Sequence, residues 1–178
     1  MTVAALVLLA VLVLVAFPLW GEYPPLPRVS LPPAVVAGGA AGLLAVSGAL
    51  AWRAGPAGSG ASMLAAGLAV ACSVTTGGPV VVAVLQLADQ TQPPGAPSPA
   101  DPRLLRGGAW IGGLERLAVT AALLAGWPEG TAVVLAVKGL GRYPELRAPA
   151  AAERFIIGTL ASVLWAAGCA GVAIAVRR

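Results

Sequence analysis

Glu115 and Arg116 stand side by side in Trp110-Ile-Gly-Gly-Leu-Glu-Arg116, inside a run otherwise apolar enough to cross a bilayer. A charged side chain at the centre of a spanning helix costs about 3 kcal/mol on insertion scales, so each one points by default to a partner or a function. The chain's single lysine, Lys138, lies in the next apolar run, and Arg142 follows it one helical turn later. Glu153 and Arg154 open the last apolar run. Together these groups allow three chemistries: carboxylate–cation pairs that fix how helices sit, a cation-rich pocket for an anion, and a proton or ion path through Glu115. A second polar stretch, Ser73-Val-Thr-Thr-Gly-Gly-Pro79, interrupts the third apolar run. Pro79 lacks a helical donor and two glycines precede it, so a kink or a break is expected at Gly77-Gly78-Pro79. Carbonyls freed at membrane depth can coordinate ions, which makes Ser73, Thr75, Thr76, Gly77, Gly78 and Pro79 candidates for an ion site. The alternative is a kink repaired by the Ser and Thr side chains and by neighbouring helices.

Several chemistries are excluded by composition. Histidine is absent, and the two cysteines, Cys72 and Cys169, both fall in apolar runs, so the usual zinc sets and catalytic triads have no ligands or base. The cysteines read as small packing residues, with a disulfide between them as the alternative. No cofactor motif is present. Of possible nucleophiles or bases only Glu115 stands out, which places an enzyme acting on lipid phosphates third among the functional classes. The net charge of +4, spread over loops, suits anionic lipid head groups. No basic cluster with interleaved aromatics indicates nucleic acid. The excess of Ala, Gly, Pro and Arg over Lys has the character of a GC-rich bacterial genome.

The elements that must position these residues are transmembrane helices. Fifty-eight per cent of the residues are hydrophobic and 10% charged, and the mean hydropathy is +0.88, which marks a polytopic all-α membrane bundle. With 178 residues, one domain of five or six spans with short loops uses the whole chain. Six are preferred, at about 2–20, 34–52, 61–87, 103–126, 130–142 and 153–176, with five plus a re-entrant fifth helix as the alternative. The first run lacks a basic leader and a small-residue cleavage site, so it reads as a span and not a signal peptide. Five prolines between Gly21 and Pro33 force an extended connection. Gly38 and Gly42 form a small-xxx-small pair that invites a neighbouring helix. Asp101-Pro102 reads as the cap and first residue of the fourth helix.

Six spans place Arg28, Arg103, Arg106, Arg142 and Arg147 on one side and Arg53, Arg177 and Arg178 on the other. By the positive-inside rule the first side is cytoplasmic and both termini lie outside, which makes a multi-pass protein of the bacterial cytoplasmic membrane. The terminal Arg pair opposes that orientation. A re-entrant fifth helix would reverse it, but would move Arg142 and Arg147 outside. With Trp127 as the turn, Glu115 lies 12 residues before it and Lys138 lies 11 after it. At 1.5 Å per residue the two are roughly 18 and 16 Å from the turn on antiparallel neighbours, so they share a depth and can pair. Arg116 then points about 100° away, toward another helix or the head groups. Gly112, Gly158 and Ser162 leave space beside the charges.

Trp110-Ile-Gly-Gly-Leu-Glu-Arg116, then Val137-Lys138-Gly139 with Arg142 and Glu145-Leu146, then Glu153-Arg-Phe-Ile-Ile-Gly-Thr-Leu-Ala-Ser162 resemble an uncharacterised bacterial membrane-protein family, a domain of unknown function. The likeness covers about the last 70 residues. It implies no activity, but it puts Glu115, Arg116, Lys138, Arg142, Gly158, Thr159 and Ser162 on motif positions.

The functional expectation is therefore a small membrane protein that binds, or helps to move, an anionic or lipid-like molecule at a cytoplasm-facing pocket. Arg116, Lys138, Arg142 and Arg154 supply positive charge, and Glu115 and Glu153 orient them. The competing expectation is a non-catalytic structural or accessory subunit whose charges fix register or dock a partner. The partners implied are the bilayer, an anionic lipid or small anion, and, for the accessory reading, a second copy or another membrane subunit.

Overall fold

Proline and glycine set helix ends at Pro33, Gly55 and Gly126, while the last helix begins at Pro149, four residues before the expected 153, because a proline is tolerated in a first helical turn. A computed structural model describes residues 1–16, 31–90, 108–143, 147 and 149–178. Among these, the chain forms six α-helices and no strand: α1 (Thr2–Ala16), α2 (Pro33–Ala54), α3 (Ser59–Gln90), α4 (Gly108–Leu124), α5 (Glu129–Arg142) and α6 (Pro149–Arg177). Pro33 occupies the first turn of α2, where its missing N–H leaves no hydrogen bond unmade, and Gly55 ends that helix at φ +72°. α4 closes on Gly126 at φ +76°, with Gly126 N donating to Leu123 O and Trp127 N to Ala122 O. That double closure satisfies the last carbonyls and turns the chain directly into α5.

The chain is thus all-α, as its composition indicates. α2, α3 and the 151–177 part of α6 are long and apolar enough to cross a membrane; α1 is apolar but has 15 residues. α4 and α5 have 17 and 14 residues. The expected ends of the first span (17–20) and the start of the fourth (103–107, with Asp101-Pro102) lie outside the described residues, as do Arg28, Arg103, Arg106 and Glu145.

α3 is the hub, packed against α1, α2, α4 and α6. Ala65, Ala69 and Cys72 of α3 and Cys169 and Ala173 of α6 belong to one core cluster and are all fully buried, and these short side chains let the two backbones approach closely. Both cysteines are free thiols, so the packing reading holds over the disulfide. Of the kink or break expected at Gly77-Gly78-Pro79, the break does not occur: α3 stays helical from Ser59 to Gln90 with Pro79 inside it. Neighbours hold α3 in place around the proline, and the turn before it is braced by Thr75 Oγ1 donating to Ala71 O and Thr76 Oγ1 to Cys72 O.

The Gly38/Gly42 pair does not serve the close approach expected of it. A Cβ at either position would meet nothing within 4 Å, because that face of α2 points away from the bundle. α2 docks instead through Leu44, Ser47 and Ala51, with Ser47 Oγ donating to Ala5 O of α1. Contacts at the helix ends fix the relative directions. Arg178 lies over Trp52, Ala57 N donates to Val176 O, and Arg177 Nη1 donates to Leu124 O. The end of α2, the start of α3 and the ends of α4 and α6 therefore share one side, while Asp89 at the end of α3 meets Arg154 near the start of α6 on the other.

Candidate functional site: a buried arginine between helices

α4 buries Gly113, Arg116, Val119 and Thr120 while Trp110, Ile111, Leu114 and Leu117 face outward, the single stripe expected of a helix packed on one side. Arg116 is the unusual member of that stripe, at 4% exposure. It crosses onto α3, where Nη2 donates to the Val74 carbonyl at 3.3 Å. Two glycines make room for it. A Cβ at Gly77 would lie 2.3 Å from Arg116 Cδ and 2.5 Å from Nε, and one at Gly112 would lie 3.2 Å from Nη1. No carboxylate lies within ion-pair distance of Arg116 among the described residues, and its Nε is buried with no hydrogen-bond partner.

The expected ion-site residues of α3 and the charged motif of α4 prove to be one place. Ser73 Oγ accepts a bond from Thr120 Oγ1 of α4 at 2.8 Å. Thr76 Oγ1 accepts one from Trp165 Nε1 of α6 at 2.8 Å while its own proton is given to Cys72 O. Gly77 carries Arg116. Thr75 is turned to its own helix. Gly78 and Pro79 are part-buried members of the continuous helix. The Ser73 and Thr76 hydroxyl oxygens and the Val74 carbonyl are therefore spent on holding α4 and α6.

Glu115 points off that stripe and pairs with Lys138 of α5, the partner that depth counting across Trp127 selects. Both are largely buried, and Lys138 Nζ lies 5.8 Å from the centre of the Phe155 ring of α6. Beside the pair, Glu115, Arg116, Val119, Val134, Leu135, Lys138, Thr159, Ser162 and Val163 line a small, partly open cavity of about 10 Å³. Thr159 Oγ1, on its wall, is buried with no partner.

The remaining sequence candidates are not gathered there. Arg142 ends α5 one turn beyond Lys138 and does not line the cavity. Arg154 pairs with Asp89 of α3, and Glu153 is exposed with no ion pair among the described residues, because the face of α6 that carries it points outward. Gly158 faces α3, where an added Cβ would lie 3.6 Å from Leu85 and 3.8 Å from Val81, so it opens space beside apolar side chains and not beside the charges. Sequence reasoning missed Asp89, Thr120 and Trp165. Thr120 was available as the residue one turn after Arg116 on the same face. Asp89 was available from the same depth argument applied to α3 and α6.

No protein-family model matches the chain, and no similar curated protein or solved structure was found.

Proposed function

We propose that this is a multi-pass protein of the bacterial cytoplasmic membrane that binds, or helps to move, an anionic molecule at the polar pocket between α4, α5 and α6. All six helices cross in this reading, alternating in direction, with α3 bent at Pro79 and the pocket nearer the cytoplasmic leaflet. α5, at 14 residues, spans roughly 21 Å against a hydrocarbon core of about 30 Å, so its polar end must meet a thinned or hydrated region, which suits an entry point for a charged ligand. The observation that carries the proposal is Arg116. It is a buried guanidinium with no carboxylate in ion-pair distance among the described residues, beside a cavity whose wall holds an unpartnered hydroxyl. Glu115, Arg116 and Lys138 sum to one positive charge, and burying an uncompensated charge is costly unless a counter-ion or water completes it.

Anion binding by the purified protein and by Arg116→Met tests the reading. The methionine keeps much of the volume and removes the charge, so binding should fall at least tenfold while helix content and thermal stability hold or rise. Unchanged binding would refute it.

A second reading has its own support. The ion pairs join different helices, Glu115–Lys138 linking α4 to α5 and Asp89–Arg154 linking α3 to α6, as a structural or accessory subunit would need for register. Under that reading Arg116→Met lowers stability and no anion binds.

A further inference from the structure

We propose that the ligand held beside Arg116 is a single monatomic anion of the halide class, seated in the cavity walled by Arg116, Thr159 and Ser162. This rests on the anion-binding reading above and narrows it. Size is the first argument. About 10 Å³ open to the centre of a water-sized sphere is room for one particle of about that size. A phosphate places four oxygens around its centre and a lipid head group carries more, so either would have to part α4, α5 and α6. A chloride or bromide needs only small adjustments of Val134, Leu135 or Val163.

Charge is the second argument. Lys138 already answers Glu115, so the one positive charge left in the cluster resides on Arg116. One monovalent anion neutralises it without remainder.

Hydrogen-bond chemistry is the third. Arg116 Nε–H and the Thr159 hydroxyl are buried groups without partners, and each is able to donate. A halide accepts from several donors without directional demand and has no proton to place. The rest of the wall is the Glu115–Lys138 pair, whose charges answer each other, and the apolar Val119, Val134, Leu135 and Val163, which cannot replace a hydration shell. Anions that shed water readily are therefore favoured. Bromide and chloride should bind ahead of fluoride, whose hydration is the hardest to strip.

Equilibrium binding of bromide to the full-length detergent-purified protein tests this, at fixed ionic strength with gluconate as the inert anion. The expected result is one saturable bromide per chain, displaced by chloride and not by inorganic phosphate or methyl phosphate at equal concentration. Arg116→Met and Thr159→Val should each weaken it at least tenfold with unchanged circular dichroism. If Arg116→Met does not fold, Thr159→Val and the cavity-filling Val163→Phe carry the test. Phosphate or phosphatidylglycerol bound through Arg116, with no bromide bound, would overturn the halide assignment and leave the anion-binding function standing. No binding of any of these anions would overturn both.

Discussion

Replacing Gly77 with alanine places a methyl carbon 2.3 Å from Cδ and 2.5 Å from Nε of Arg116, and 3.1 Å from Cδ1 of Trp165. The first two separations are closer than carbon and nitrogen tolerate, so Arg116 must leave its place on α3. Inside a helix, alanine is favoured over glycine by about 1 kcal/mol. Against that gain stand overpacking, about 1–3 kcal/mol, and loss of the charged donor's bond to Val74 O, about 1.5–3 kcal/mol. The balance is a destabilisation of about 3 kcal/mol. In an Arg116→Ala background both penalties vanish and the same substitution should gain up to about 1 kcal/mol, a coupling of about 4 kcal/mol across the cycle. The approach to Trp165 is common to both backgrounds and cancels. Reversible unfolding of the four proteins in mixed micelles, titrated with SDS and followed by far-ultraviolet circular dichroism, measures it. Equal costs for Gly77→Ala in the two backgrounds would show that Arg116 does not rest on Gly77, and the site as described would fail.

Four further outcomes follow from other contacts. Glu115→Gln alone should destabilise by about 1–2 kcal/mol, and adding Lys138→Met should recover most of it, because a half-removed, largely buried pair leaves a charge unanswered; additive losses in the same unfolding assay would count against the pair. Thr76→Val strands the Trp165 indole N–H and should cost about 1–3 kcal/mol; in a background with Trp165 as the sole tryptophan its emission should shift, and an unmoved spectrum would argue against the bond. Gly38→Ala and Gly42→Ala, where nothing approaches, should each raise stability by up to about 1 kcal/mol; a loss at either would reveal a second chain packed on that face. Under six crossings, cysteines placed at Glu129 and Arg178 should both label from the same side of intact cells or spheroplasts; opposite labelling would leave an odd number of crossings between them.

What the sequence made legible follows physical range. Helix ends at Pro33, Gly55 and Gly126 are local events, written in residues whose backbone preferences need no tertiary context. The Glu115–Lys138 pair was legible because a short turn makes depth a matter of counting along two adjacent helices. The destination of Arg116 was not. A 100° step from Glu115 excludes α5 but does not choose among the helices on the other side, and only the assembled bundle brings Gly77 beneath it. The same gap explains why Ser73-Val-Thr-Thr-Gly-Gly-Pro79 suggested a separate ion site. Its polar groups are visible in sequence, while the Thr120, Trp165 and Arg116 side chains that use them come from 37 residues or more away. Gly38 and Gly42 mislead for a related reason: a small-residue pair permits close packing without supplying a neighbour.

The polar links of the bundle do not carry the same energetic sign, and that difference separates architecture from function. Glu115–Lys138 and Asp89–Arg154 are closed pairs, each joining two helices, and α5, which packs almost wholly on α4, needs such a clasp. Ser73, Thr76, Thr120 and Trp165 satisfy one another across three helices. All of these are accounted for by holding the structure together. Arg116 is not, since one bond to a carbonyl leaves a buried guanidinium with no ion pair among the described residues and its Nε unused. A lysine would be the poorer occupant, because only the planar fork reaches Val74 from one nitrogen while lying over Gly77 and Gly112 with the others. A residue that burdens the fold, seated by two glycines that also weaken their helices, makes physical sense when something else completes it, and the cavity that Thr159 and Ser162 help to line lies beside it.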